Sequence, residues 1–165
     1  MRALAKIMAL VLLPLAGLAA CDRESDAAPS AAYDTSAASN AKFLADYAAR
    51  ADVKKTQSGL MYRVLKAGSG PGVLRNADVV TVYYKGMLIN GKVFDQTKPE
   101  EAASFMAGGL IPGWVEALKL MKTGETWEIV LPSDLGYGAD GAGDAIPPDQ
   151  TLVFTMTLSK VEYAN

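Results

Sequence analysis

The chemistry open to this 165-residue chain is aromatic, with one acid set among the rings. Tyr84, Phe94, Phe105, Trp114, Tyr137 and Phe154 are spread through its second half with Ile111 and Ile146, and Asp95 directly follows Phe94. A carboxylate at the edge of an aromatic cluster needs a donor, and a tyrosine hydroxyl is the one at hand. Tyr137 stands between two glycines in a Gly/Pro-rich loop, a setting that displays a side chain at a rim more readily than it buries one. Taken singly, each of these residues reads as core; taken together they form an aromatic cluster with one carboxylate at its edge and Tyr137 at a rim. No histidine occurs, which removes Ser-His-Asp and Cys-His catalysis and most zinc sites, and the single cysteine removes an internal disulfide, a cysteine-ligated zinc and an iron–sulfur centre. Histidine-dependent nucleophilic and general-base catalysis is thereby excluded, and no metal or cofactor is expected.

Two other patterns fail on context. Gly136 to Gly141 reads Gly-Tyr-Gly-Ala-Asp-Gly, the spacing of a dinucleotide-binding turn, but Pro147 and Pro148 follow where that turn needs a helix N-terminus to hold a pyrophosphate. Asp134, Asp140, Asp144 and Asp149 lack the alternation and terminal glutamate of a calcium loop and read as a solvated acidic loop. A net charge of −2 and a pI near 5.1 leave no basic face for nucleic acid.

The elements that must position the aromatics follow from periodicity. Phe43, Leu44, Tyr47, Ala48 and Ala51 share a helical stripe, which predicts a short helix capped by Asn40 and ending near Asp52. Leu60 to Leu65 and Val79 to Ile89 read as strands, and Asn90-Gly91 supplies positive φ angles for a two-residue hairpin that returns through Phe94 and Asp95 beside Tyr83 and Tyr84. Trp114, Ala117, Leu118 and Met121 define a second helix opened by Pro112-Gly113, and Thr126 to Leu131 and Thr151 to Val161 close the set as strands. The predicted class is α+β: an antiparallel β-sheet half-wrapped around one short α-helix, with a short N-terminal helix.

Residues 1–20 carry Arg2 and Lys6, an apolar run from Ile7 to Leu13, and small residues at Gly17, Ala19 and Ala20, the pattern of a secretory signal too short to span a membrane. Leu18-Ala19-Ala20-Cys21 resembles the lipobox of bacterial lipoproteins, which implies lipidation of Cys21, cleavage before it, and a lipid-anchored, periplasm-facing place in the cell envelope; Asp22 leans toward the inner membrane. Asp22 to Asn40 holds six Ala, four Ser and three Asp with Tyr33 as its one large ring, so residues 21–40 are predicted to be a flexible tether. The expected organisation is a signal peptide over 1–20, lipidated Cys and linker over 21–40, a helix over 41–55, and a catalytic domain over 56–163.

Val82-Tyr83-Tyr84-Lys85-Gly86-Met87-Leu88, Asn90-Gly91-Lys92-Val93-Phe94-Asp95, Leu110-Ile111-Pro112-Gly113-Trp114, Gly136-Tyr137-Gly138 and Ile146-Pro147-Pro148 with Thr151-Leu152-Val153-Phe154 resemble, in order and spacing, the blocks of the FKBP-type peptidyl-prolyl isomerases. Phe43-Leu44-Ala45 and Ser58-Gly59-Leu60-Met61-Tyr62 resemble the lead-in of the macrophage-infectivity-potentiator-like subgroup, without its long dimerisation arm. The resemblance implies a proline pocket floored by Trp114 and walled by Tyr84, Phe94, Leu110, Ile111 and Phe154, with polar contacts from Asp95, the Ile146 N–H and the Tyr137 hydroxyl. It implies isomerisation of X-Pro bonds in exported proteins as they fold, with tacrolimus-like macrolides as further ligands. Ala103 stands where the human-type pattern has Phe, and Ala142 where it has His, so rim contacts are expected to differ. The competing reading is a chaperone module that grips prolyl and apolar segments with little turnover. The short helix is expected to dock on its own domain and leave a monomer.

Overall fold

The computed structural model describes residues 28–165; the signal segment and Cys21 lie outside them. In chain order the elements are α1 (Ala37–Ala48), β1 (Lys54–Lys55), β2 (Met61–Lys66), β3 (Val79–Leu88), β4 (Val93–Gln96), β5 (Ala103–Met106), α2 (Pro112–Leu120), β6 (Thr126–Leu131) and β7 (Leu152–Glu162). The strands form one antiparallel sheet in the order β1-β2-β6-β7-β3-β4, with β5 also paired to β3. This is the α+β architecture expected from the periodicity.

Alternation decides which face meets which helix. Leu152, Phe154, Met156 and Leu158 of β7, Trp127, Ile129 and Leu131 of β6, and Val80 and Val82 of β3 point to the inner face, where Trp114, Ala117 and Leu118 of α2 pack on them. Val130 and Val153 point the other way, with Met61 and Ile89, and α1 covers them with Phe43 and Tyr47, both fully buried. Burial on both faces makes the ends of β6 and β7 apolar without a break, as in a covered sheet.

Within the described part of the predicted tether, residues around Ser30 and Tyr33 are docked on the domain. Ser30 donates its N–H to the Ile89 carbonyl at 2.9 Å, Tyr33 meets Phe43 edge-on with ring centroids 5.1 Å apart, and the Tyr33 hydroxyl donates to Asp46 Oδ2 at 2.8 Å. The ring pair and the two hydrogen bonds together dock a stretch that composition alone assigns to solvent. Helix α1 also begins earlier than predicted. Ser36 is its N-cap, accepting from the Ser39 N–H at 3.2 Å, and the helix ends at Ala48. Asn40 lies inside it, buried, because the Thr151 N–H offers its side chain a tertiary partner.

The β3–β4 connection is corrected as well. Gly91 alone takes a positive φ, +84°, while Gly91 donates to the Leu88 carbonyl and Leu88 to the Lys92 carbonyl, both at 2.9 Å. This is a turn through Ile89 and Asn90 closed by a left-handed glycine, the longer hairpin type that carries a bulge. A second irregularity, at Phe94 between the Met87–Val93 and Gly86–Asp95 pairs, moves the register: Asp95 stands opposite Gly86, and Thr97, beyond the strand, bonds to the backbone of Tyr84. Strands β1 and β5 lie in stretches without strand periodicity; pairing with β2 and β3 makes them strands.

Candidate functional site

The floor of the site is set by the first turn of α2. Ile111 is its N-cap and Pro112 its first residue, whose fixed φ suits a helix start. Gly113 follows because a Cβ there would overlap Leu131, so its absence lets α2 lie against β6 and fixes the level of Trp114. The Trp114 indole is 4% exposed, and three rings stand nearly perpendicular to it: Tyr84 at 5.0 Å and 83°, Phe154 at 5.2 Å and 82°, Phe105 at 6.1 Å and 86°. Edge-to-face packing of this kind holds ring orientations as well as area. Phe94 closes the box against Phe154 at 5.5 Å and 87°. Gly86 makes that closure possible, since a Cβ on it would come within 2.7 Å of both the Phe94 and Phe154 rings.

These residues bound an open-mouthed cavity of about 150 Å³ lined by Tyr84, Phe94, Asp95, Phe105, Leu110, Ile111, Trp114, Tyr137 and Phe154. Trp114, Tyr84, Phe94, Leu110, Ile111, Phe154, Asp95 and Tyr137, the side chains expected in the pocket, all line it, and Phe105 is added. Phe105 belongs to the aromatic constellation of the sequence; its place in the wall depends on β5, which sequence reading missed.

The polar edge is organised by one short bond, from the Tyr84 hydroxyl to Asp95 Oδ2 at 2.6 Å. Burial first, then that bond and the Asp95 charge, with Tyr137 nearby, raise the Tyr84 pKa above its ordinary value, so Tyr84 stays a donor through the neutral range. Tyr137 sits at the rim, 39% exposed, on the loop between β6 and β7. The Ile146 N–H, expected as a backbone donor, is engaged within its own loop. The Ile146 N–H donates to the Ala142 carbonyl at 3.2 Å while the Ala142 N–H donates back at 2.8 Å, and Ile146 itself is buried in the core. The Ile111 N–H donates to no group among the described residues, and Ile111 lines the cavity. An N-cap leaves its own N–H outside the helical ladder, which is the signal in the Ile111-Pro112-Gly113 sequence that points to this donor. The indole N–H of Trp114 is likewise buried without a partner. The arrangement can seat an apolar ring on Trp114 and offer donors to a carbonyl beside it.

Comparison with known proteins gives the same fold and the same site-bearing segment. Residues 70–159 match the family model of the FKBP-type peptidyl-prolyl cis-trans isomerase, and residues 15–64 match that of the domain amino terminal to it. The chain is similar to the FKBP-type 22 kDa peptidyl-prolyl cis-trans isomerase of Escherichia coli, 42% identical over 83% of this chain and 66% of that one, and to the outer membrane protein MIP of Legionella longbeachae, 43% identical over 74% and 52%. It thus spans about half to two thirds of the length of these curated relatives. Among solved structures it resembles FkpA from Escherichia coli, with a TM-score of 0.72, 40% identity and coverage of 78% of this chain and 60% of that one. It also resembles a peptidyl-prolyl cis-trans isomerase from Pseudomonas syringae, with a TM-score of 0.71, 38% identity and coverage of 76% and 92%. With the aromatic box, its acid edge and the ordered sequence blocks all falling within the matched segment, the chain belongs to the family of FKBP-type peptidyl-prolyl cis-trans isomerases.

Proposed function

We propose that this protein catalyses cis–trans rotation about X-Pro bonds of exported polypeptides at the bacterial cell envelope, held there by a lipid on Cys21. The observation that carries the reading is the box of rings around Trp114 with the Tyr84–Asp95 pair on its edge. Rotation must overcome an amide resonance barrier of about 18–20 kcal/mol, with no covalent bond broken. In the twisted transition state the amide loses resonance and its carbonyl oxygen sheds charge, so a dry apolar site disfavours the planar ground state more than the twisted one. The prolyl ring rests on Trp114 between Tyr84, Phe94 and Phe154. The Tyr137 hydroxyl and the Ile111 N–H hold the carbonyls that flank the rotating bond, and Asp95, fixed by Tyr84, faces the substrate backbone. The same box suits the apolar body of a tacrolimus-like macrolide, with Ala103 leaving that part of the rim smaller than an aromatic would.

The envelope assignment is supported by the lipobox-like Leu18-Ala19-Ala20-Cys21 and by likeness to a relative named as an outer membrane protein. Among the described residues no helix is long and apolar enough to cross a membrane. The test is isomerisation of a short X-Pro peptide by the full-length protein in detergent, comparing wild type with Tyr137→Phe at equal melting temperature. Catalysis weakened by Tyr137→Phe supports the reading. Binding of the peptide without acceleration would instead establish a prolyl-binding chaperone module.

A further inference from the structure

We infer that Asn40, on the N-terminal helix, is a positioning residue for the loop that carries Tyr137. Asn40 is 6% exposed, and both ends of its amide are engaged: Oδ1 accepts from the Thr151 N–H at 2.8 Å, while Nδ2 donates to the Ser36 carbonyl at 2.9 Å and to Gln150 Oε1 at 3.3 Å, with the Thr35 carbonyl at 3.4 Å. Gln150, equally buried, passes the contact on. Its Nε2 donates to the Pro148 carbonyl at 3.0 Å and to the Thr35 carbonyl at 3.1 Å. Between these two anchored residues lies Asp149, the one non-glycine among the described residues with positive φ, +59°. Its N–H donates to the Gly138 carbonyl at 2.9 Å, and Gly138 directly follows Tyr137.

The chain of bonds thus runs from α1 to the residue beside the rim tyrosine. A left-handed Asp persists only where its surroundings over-determine it. Here Gln150 and Thr151 are held from the α1 side, so the Asp149 N–H is aimed at Gly138 by contacts that themselves lie away from the pocket. A one-residue slip in this segment would let the 136–138 turn move, and with it the Tyr137 hydroxyl, whose value as a donor depends on placement within an ångström or so. A purely stabilising role for Asn40 predicts loss of melting temperature alone; a positioning role predicts loss of rate that passes through Tyr137.

The inference rests on the reading of Tyr137 as a donor to substrate, and the experiment separates the two. Full-length wild type, Asn40→Ala, Gln150→Ala and Tyr137→Phe, with the doubles Asn40→Ala/Tyr137→Phe and Gln150→Ala/Tyr137→Phe, are compared for kcat/KM on an X-Pro peptide and for amide exchange at Asp149, at a temperature where circular dichroism shows each folded. The expected result is exchange at Asp149 faster by about tenfold or more in both clamp variants with β3 amides unchanged, and kcat/KM lower by about threefold or more. That rate loss shrinks to less than about twofold when Tyr137 is already Phe. Unchanged Asp149 exchange, or a rate loss that persists in full in the Tyr137→Phe background, overturns the proposal. If Asn40→Ala fails to fold, Gln150→Ala carries the same test, because it cuts the link to Pro148 while leaving the Asn40 bond to Thr151. A Tyr137→Phe protein of wild-type rate sinks the hydroxyl's role; faster Asp149 exchange in the clamp variants would then still support the clamp.

Discussion

The Tyr84 hydroxyl lies 2.6 Å from Asp95 Oδ2 although the ladder partner of Asp95 is Gly86. The bond is closed side chain to side chain past the β4 bulge, which slides Phe94 under Gly86 and leaves the carboxylate at the mouth of the cavity. Asp95 is thereby aimed by a residue that is itself part of the aromatic wall. If this aim matters to catalysis, Asp95→Val lowers kcat/KM by about tenfold or more while the protein stays folded, and Tyr84→Phe, which keeps the ring and removes the donor, gives a smaller loss of the same kind. Equal activity for wild type and Asp95→Val in the X-Pro assay would remove the carboxylate from the mechanism.

Rate should be flat between about pH 6 and 9, because no proton is transferred and Tyr84 is held protonated by burial and by its bond to Asp95. Stability has a separate alkaline limit. Tyr47 is raised above its ordinary 10.0 by burial first and then by the charge and hydrogen bond of Glu128, and Tyr84 is raised from the same value. Both tyrosines bind their protons more tightly folded than unfolded. Their contribution is complete below about pH 10 and is lost as pH rises through the folded values. Urea midpoints measured from pH 8 to 11 should fall toward the alkaline end, less steeply for Tyr47→Phe; a rising midpoint would contradict the sign.

Gly86→Ala is a packing test of the pocket. The new Cβ would meet both the Phe94 and Phe154 rings at 2.7 Å, and neither ring can yield without disturbing the wall. A cost of about 1–3 kcal/mol is expected, with a weaker grip on peptide as well as a lower Tm. A variant with unchanged Tm and KM would show that the rings have room to spare.

Helix α1 spends its apolar face on its own sheet. Phe43→Ala should cost about 3–5 kcal/mol, because Phe43 is fully buried and also receives Tyr33 edge-on. With that face covered, the protein is expected to run as a monomer in light scattering, and a concentration-independent dimer mass would assign α1 an intermolecular role.

Cys21→Ser should abolish labelling by a fatty-acid probe and release the protein from the salt-resistant membrane fraction, since each buried methylene of a lipid contributes about 0.8 kcal/mol to anchoring. Freely soluble wild-type protein in the periplasm would sink the anchor and leave the isomerase reading intact.

The sequence by itself determined the faces. The β-branched and aromatic content of Val79–Leu88, Thr126–Leu131 and Leu152–Glu162 and the 3.6-residue stripe of Trp114, Ala117 and Leu118 carry the strands and the helix, because each depends on neighbours within a few residues, and the order of the aromatic blocks carries the resemblance. What only the tertiary structure decided are the partners of short polar groups. Asn40 has the chemistry of an N-cap and the sequence offers it that role, yet Ser36 takes the cap and Asn40 bonds to Thr151, 111 residues away. The Ile146 N–H looks available and is held by Ala142, while the Ile111 N–H is left over by the helix it caps. Tyr33 sits in a stretch composed like a tether, and Phe43 gives it a place to dock. Hydrophobic burial is set by pattern, which is local; a hydrogen bond is won by whichever donor and acceptor the fold brings within about 3 Å, and that competition is settled only once the chain has closed.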